Sequence, residues 1–328
     1  MDQIPEEAHT TLRAGGGLTR IPLQETRESV IDPPGDLPMR RGLRFAPTTR
    51  LLGQLERLAK ARFYIRELTD DDVIGAPGPE SYWIVAQSVN ASSEIEGEHV
   101  QAQNLELVLA PRSTVREEQL DAEETIRLKE TCVFRSCYWA LQYKDPTIVS
   151  YEFVMDLHRR MFLSTHSAIA GKPKSKEVWI RGAGYNVRTL PPPRVDAALK
   201  ALCARTTQQF VSGHDSAETS MFLCAAEFVC DFLAIHPFAD GNGRTSRVLS
   251  TYLLERAGYH FASYYPLEQV ILETKPQYYE ALFQAQRRWY HPDEDITAWI
   301  EYYTSSVFEQ WERAFRRVRE QSRREISR

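Results

Sequence analysis

Apolar residues recur every three or four positions along most of the chain from Thr48 onward, and that spacing predicts helices. Leu51, Leu52, Leu55, Leu58 and Ala59 open the first, which continues toward Phe63 and Ile65. Asp70-Asp71-Asp72 and Pro77-Gly78-Pro79 break it, and a second helix is expected from Ser81 toward Gly97. A long one, Glu118 to Tyr143, would place Ile126, Cys132 (or Val133), Cys137 and Leu141 on one face. Thr147 or Ser150 can cap another that carries Phe153, Val154, Leu157 and Met161. Between residues 167 and 194 the rhythm stops. Gly171, Pro173, Gly182, Gly184 and Pro191-Pro192-Pro193 surround Val178-Trp179-Ile180, whose composition suits a strand, so a small hairpin or flap is expected. Helical spacing returns at Val195–Val211, Ala217–Ala234, Thr245–Ala257 (with Gly258 as its C-terminal cap), Pro276–Arg288 and Ile296–Phe315. The pattern reads as an all-α fold with one small β element.

Residues 1–41 depart from this pattern. They contain Gly15-Gly16-Gly17 and Pro33-Pro34 with few apolar clusters, which predicts an extended or disordered arm. A chain of 328 residues fits two domains, or one core with additions. No run approaches 18 apolar residues, which excludes a membrane-spanning helix. Met1 to Gly17 lack the apolar core of a signal peptide, and the five cysteines (Cys132, Cys137, Cys203, Cys224 and Cys230) lack tight metal-ligand spacing. Both features lead to the expectation of a reduced, cytoplasmic protein. The formal charge of -5 argues against a dedicated nucleic-acid binder. Seven arginines against two glutamates between Arg313 and Arg328 form a local exception, read as the solvated face of a helix.

The chemistry concentrates in His236-Pro237-Phe238-Ala239-Asp240-Gly241-Asn242-Gly243-Arg244-Thr245-Ser246-Arg247. An apolar helix (Phe228, Val229, Phe232, Leu233, Ile235) delivers His236, and Pro237 ends it. Gly241, Asn242 and Gly243 tolerate positive φ or close backbone approach, so several N–H groups can converge on one anion. The following helix, expected from about Thr245, adds its positive end. Arg244 and Arg247, three apart, supply two cationic forks for phosphate oxygens. Asp240 offers one hard carboxylate, as Mg²⁺ sites use when phosphates and water complete the shell. His236 can accept a proton near neutral pH. Together these residues suit a polyphosphate nucleotide, a metal and a base that activates a hydroxyl.

This stretch resembles the signature of the Fic family, His-x-Phe-x-Asp/Glu-Gly-Asn-Gly-Arg-x-x-Arg, at every specified position. The likeness extends over roughly residues 117 to 303. It covers the flap region Gly171 to Ile180, where Lys174 stands in place of a frequent Arg and Pro173 in place of an aromatic residue. It also covers Pro276 to Leu282. The resemblance implies a Fic-type helical core with a β-hairpin flap and an N-terminal helical extension. It further implies a protein adenylyltransferase that uses ATP and Mg²⁺. His236 would be the base, Asp240 the metal ligand, and Gly241, Asn242, Gly243, Arg244 and Arg247 the phosphate site. Tyr278 or Tyr279 would approach the base of the nucleotide or pack in the core. Val178, Trp179 and Ile180 would dock a protein substrate bearing a Tyr, Thr or Ser hydroxyl by strand-like pairing. Self-modification and a homodimer are compatible with the resemblance. Membrane and nucleic-acid partners are not expected.

A second motif, Ser92-Ser93-Glu94-Ile95-Glu96-Gly97, lies upstream. Ser92 and Glu96 are four apart and share a helix face. Gly97 can close the helix, which leaves Glu96 at its negative end, where a carboxylate needs a cation. Arg247 is a suitable one. The resemblance implies an inhibitory helix carrying Ser92, Glu96 and Gly97, whose Glu96 pairs with Arg247 and takes the space of the ATP γ-phosphate. The chain is then expected to divide into an arm over 1–41, a helical region with the inhibitory motif over 42–116, a catalytic core over 117–304 and a basic helix over 305–328. Two alternatives stay open. One keeps the site but removes AMP or transfers another phosphate-containing group; the other is a non-catalytic regulator with a vestigial nucleotide site.

Overall fold

The structure, a computed structural model, describes residues 27–30, 44–68, 79–97, 148–163, 166–182, 185–213 and 219–326. The expected helix Glu118–Tyr143, most of the arm and the division near residue 116 lie outside these segments. Among the described residues the fold is helical with one small sheet. The elements are β1 (Arg27–Val30), α1 (Thr49–Leu68), α2 (Pro79–Ile95), α3 (Tyr151–Phe162), β2 (Trp179–Gly182) and β3 (Tyr185–Arg188). They continue with α4 (Pro192–Gly213), α5 (Thr219–Ile235), α6 (Asn242–Arg256), a 3-10 turn (His260–Ser263), α7 (Leu267–Glu273), α8 (Lys275–Gln286) and α9 (Thr297–Ile326). No described helix is long and apolar enough to cross a membrane.

The helix ends follow local chemistry. Thr48 opens α1, its Oγ1 accepting from the Leu51 N–H at 3.2 Å. Ser150 caps α3, its Oγ accepting from the Phe153 N–H at 3.0 Å. Of the prolines read as punctuation at 191–193, Pro192 and Pro193 instead start α4, because Pro fits the first turn of a helix. At the end of α6, Gly258 N–H reaches the Glu255 carbonyl and Tyr259 N–H the Leu254 carbonyl, the two bonds of a Schellman motif.

The core runs through α5, the most apolar helix. Ala225, Phe228, Phe232 and Ile235 are buried in it and pack with Tyr252, Leu253, Trp299 and Tyr303 of α6 and α9. α1 lays Leu51, Leu55 and Leu58 against this body. Leu52, grouped with them by spacing, faces outward at 54% exposure.

Three features differ from the sequence expectation. First, α6 begins at Asn242, not Thr245. Second, the hairpin β2–β3 is joined by β1, so the sheet order is β1-β3-β2, with β1 parallel to β3 (Arg27 opposite Tyr185) and β2 antiparallel to it. Part of the arm is therefore a strand, and β2 occupies one edge. Val178 stands just before β2. Third, residues 260–273, unassigned by periodicity, form the 3-10 turn and α7. Seven residues are too few to display a helical repeat. The last helix runs through the basic segment to Ile326.

Candidate active site

The site forms where α5 ends and α6 begins. α5 stops at Ile235, and His236 adopts φ 52°, a left-handed conformation that a non-glycine residue holds at a cost. The His236 side chain is partly exposed. Its Nδ1 lies 3.3 Å from the Leu233 carbonyl. With the proton on Nδ1, Nε2 keeps its lone pair. Desolvation by the surrounding protein, reinforced by the positive charge of Lys174, pushes the imidazole pKa down to about 4, so the ring is neutral at pH 7.

The loop that follows is pinned from within. The Phe238 N–H donates to Asn242 Oδ1 and Asn242 Nδ2 donates to the Phe238 carbonyl, both at 2.9 Å. The Asn242 side chain is thus spent on closing the loop, and what it can offer an anion is its backbone. Gly241 sits at φ 79° as the residue before α6. A Cβ there would lie 2.2 Å from Phe162 Cζ. Gly241→Ala is expected to cost about 2–4 kcal/mol, combining left-handed strain with a forced shift of a buried ring. A thermal melt should show the loss as a Tm several degrees lower. With Gly241 as cap, Asn242, Gly243 and Arg244 become the first turn of α6, so the N–H groups without helical partners point into the site.

Charged groups frame that turn. Asp240 is largely exposed, accepting from its neighbour Gly241 N–H at 2.6 Å and from Arg244 Nη2 at 3.2 Å. The Arg244 guanidinium is buried and lies over the Phe162 ring, 4.9 Å from its centroid. Arg247, also buried, donates from Nε to Ser92 Oγ at 2.8 Å and from Nη2 to the Ser92 carbonyl at 3.1 Å. Its Nη2 also donates to Glu96 Oε1 at 2.7 Å. α2 ends at Ile95, and Gly97, at φ 85°, turns the chain and leaves Glu96 over the start of α6. A Cβ on Gly243 would stand 2.3 Å from Glu96 Oε1, so the carboxylate occupies the space that this glycine leaves open.

The remaining expected residues lie around this centre. Val178 and Ile180 are half-buried, and Trp179 is 39% exposed on the edge strand. Tyr278 is 3% exposed and packs with Tyr279, Trp299 and Tyr302, so burial places it in the core, whereas Tyr279 keeps a partly exposed edge.

Two residues here escaped sequence reasoning, and a third, Lys174, was noted only as standing in place of a frequent Arg. His158 of α3 is fully buried, stacked on Phe238 with centroids 3.6 Å apart. Its Nδ1 accepts from the Gly171 N–H at 3.0 Å, which makes Nε2 the donor to the Asp240 carbonyl, also at 3.0 Å. Burial pushes its pKa down to about 4, so it stays neutral while tying the loop at Asp240 to the segment before the flap. A histidine on the apolar stripe of α3, between Leu157 and Met161, was the available signal. Glu268 of α7 is buried, accepts a hydrogen bond from Ser88 of α2 and faces Arg247 as a second carboxylate; burial pushes its pKa up.

The chain is similar to known proteins over this region. Residues 148–254 match the model of the Fic/DOC family. "Protein adenylyltransferase Fic" of Drosophila melanogaster is 30% identical over 173 residues, 53% of this chain and 33% of the relative. The Aedes aegypti protein of the same name is 25% identical over 237 residues, 67% of this chain and 43% of the relative. The match thus spans less than half the length of these curated relatives. Among solved structures, a Fic family protein from Desulfovibrio desulfuricans aligns with a TM-score of 0.60 at 18% identity, covering 84% of this chain and 77% of that one. Fic-1 from C. elegans aligns with a TM-score of 0.60 at 19% identity, covering 83% and 73%. These two likenesses concern the fold.

Proposed function

We propose that this chain, a Fic/DOC family protein by its domain at residues 148–254, is a protein adenylyltransferase that moves AMP from ATP to a hydroxyl of a protein. One observation carries the reading. His236, the first turn of α6 and the buried guanidinium groups of Arg244 and Arg247 lie together at the junction of α5 and α6. The relatives named adenylyltransferase support the same reaction class.

The backbone of Gly241 to Gly243 would cradle the phosphates, with Arg244 beside them. Arg247 would take the terminal phosphate once Glu96 leaves. His236 Nε2 would accept the proton of a Tyr, Thr or Ser hydroxyl. That oxygen bonds to the α-phosphorus as the bond to the bridging oxygen breaks, pyrophosphate leaves, and AMP remains on the protein. Rate then comes from placement and from charge stabilisation. Asp240 fits a Mg²⁺ ligand, being a hard, largely exposed carboxylate at the mouth of the cradle. Such an ion would supply neutralisation of phosphate charge. Among the described residues, no group of three or more His, Cys, Asp or Glu side chains could hold a metal, so the nucleotide and water would provide the other ligands. Among the described residues β2 is an edge strand, which suits strand-like pairing with a target segment.

Mass spectrometry of the Glu96→Gly protein after incubation with ATP and Mg²⁺ tests the reading. A single AMP increment, mapped to a hydroxyl side chain, is expected; its absence together with absent ATP binding by calorimetry would favour a vestigial site. Adding Asp240→Ala to that protein should lower the rate at least tenfold and flatten its response to Mg²⁺ titration. The Glu96 carboxylate held over the cradle favours one second reading of the same site, removal of AMP by a water that Glu96 orients. Loss of the increment on addition of the unaltered chain would assign it.

A further inference from the structure

We propose that Lys174 is a positioning residue that holds His236 in its left-handed backbone from both sides and couples that hold to the flap. The inference rests on His236 being the base of the proposed transfer.

The geometry is specific to the two neighbours of His236. The Lys174 N–H donates to the Pro237 carbonyl at 2.8 Å, and its Nζ donates to the Ile235 carbonyl at 3.2 Å. One residue therefore grips the peptide on each side of the strained position at φ 52°. Nζ also donates to Thr189 Oγ1 at 2.6 Å, and that hydroxyl donates to the Val178 carbonyl at 2.8 Å. Thr189 N–H reaches the same carbonyl at 3.1 Å. A continuous line of hydrogen bonds thus runs from the residue before His236 to the residue before β2, the strand available for target pairing. Lys174 is only 3% exposed, and burying an ammonium is costly unless it is well partnered. Burial lowers its own pKa to about 7, against the opposing charge of Glu177.

A structural staple would serve folding alone. Lys174 differs because its charge also acts on the imidazole. The charged groups that act on His236 are Lys174, Glu96 and Asp240, and the Leu233 carbonyl takes its hydrogen bond; burial and Lys174 favour the neutral ring, while the carboxylates and the carbonyl oppose them. Removing the ammonium should therefore both loosen the base and let it protonate more readily.

The test has two arms. Auto-modification with ATP and Mg²⁺ is timed in Glu96→Gly protein, alone and with Lys174→Met, Lys174→Arg or Thr189→Val added. Separately, the His236 imidazole is titrated by NMR in the otherwise unaltered chain, assigned with His236→Gln. Lys174→Met is expected to lower the rate at saturating ATP by about 10- to 100-fold, with the half-saturating ATP concentration changed less than about twofold. It should move the His236 titration upward by about one pH unit. Lys174→Arg should recover most of the rate and the low titration, and Thr189→Val should show a smaller loss. Unchanged rate and titration in Lys174→Met would overturn the proposal. So would equal losses in the Met and Arg variants with an unmoved titration, the result of a merely structural role. Should thermal melts show Lys174→Met unfolded, an undiminished rate in Thr189→Val overturns it. A Glu96→Gly protein that transfers no AMP removes the proposed function, and the NMR arm still decides the role of Lys174.

Discussion

Replacing Glu96 with glycine is expected to raise auto-modification with ATP and Mg²⁺ by about 10- to 100-fold. The expectation starts from the 2.7 Å bond between Arg247 Nη2 and Glu96 Oε1. It adds the 2.3 Å that would separate that oxygen from a Cβ on Gly243. The carboxylate lies on the first turn of α6, where the positive end of the helix would meet phosphate. Two anions cannot share that place. A hydrogen bond between charged groups contributes about 1.5–3 kcal/mol, which corresponds to about 10- to 150-fold in the population of the open site. The substitution should leave the fold in place, since Arg247 keeps the Ser92 hydroxyl and carbonyl and α2 keeps its packing on α7. A time course with labelled ATP measures the change, with thermal melts as a control. A rate that stays level or falls would overturn an inhibitory role for Glu96.

In the same Glu96→Gly background, His236→Ala should lower AMP transfer by about 10²- to 10⁴-fold, the range of a lost general base. ATP binding, read by calorimetry, should change less than about twofold, because the cradle is backbone and arginine. Melting should change little, since the His236 side chain is partly exposed and makes one contact with the Leu233 carbonyl. The pH profile of the intact base has a definite sign. His236 is held neutral down to about pH 4, so the rate should stay level from pH 7 to near 5 and fall only as pH approaches 4. An ordinary histidine would already lose its base form near 6.5. Transfer that persists in His236→Ala would overturn the base assignment.

How much of this was legible in the sequence depends on the range of the interaction. The loop from His236 to Arg247 could be read because its parts are adjacent and each residue type has a local reason to be there. The cap at Ser150 and the stop at Gly258 are local too. The start of α6 was misplaced by three residues because Gly241, not Thr245, closes the turn, and a positive φ is invisible to apolar spacing. The pairing of Arg27–Val30 with Tyr185–Arg188 joins segments more than 150 residues apart, and four residues carry no pattern. Lys174 could be noted as a flap residue, but it lies in a Gly- and Pro-rich turn where a lysine normally meets water; only the folded chain brings it to the peptides on either side of His236. His158 did leave a trace, a polar residue inside an apolar helical stripe. Tyr278 and Tyr279 could not be told apart, since one helical step decides which of two adjacent rings is buried.

The absence of a side chain at Gly243 has a consequence for how such a protein can change over time. The same small volume admits the Glu96 carboxylate and adjoins the N–H groups that would meet phosphate. A methyl group there would evict the lock and crowd the cradle in one step. On the proposed reading, a change at position 243 would therefore not release activity without damaging the phosphate site. On that reading, release would have to begin at Ser92 of α2 or at Glu96 just beyond its end, where a change can spare the phosphate site. The proposed restraint and the proposed turnover would in this sense be inherited together at one position and separable only at another.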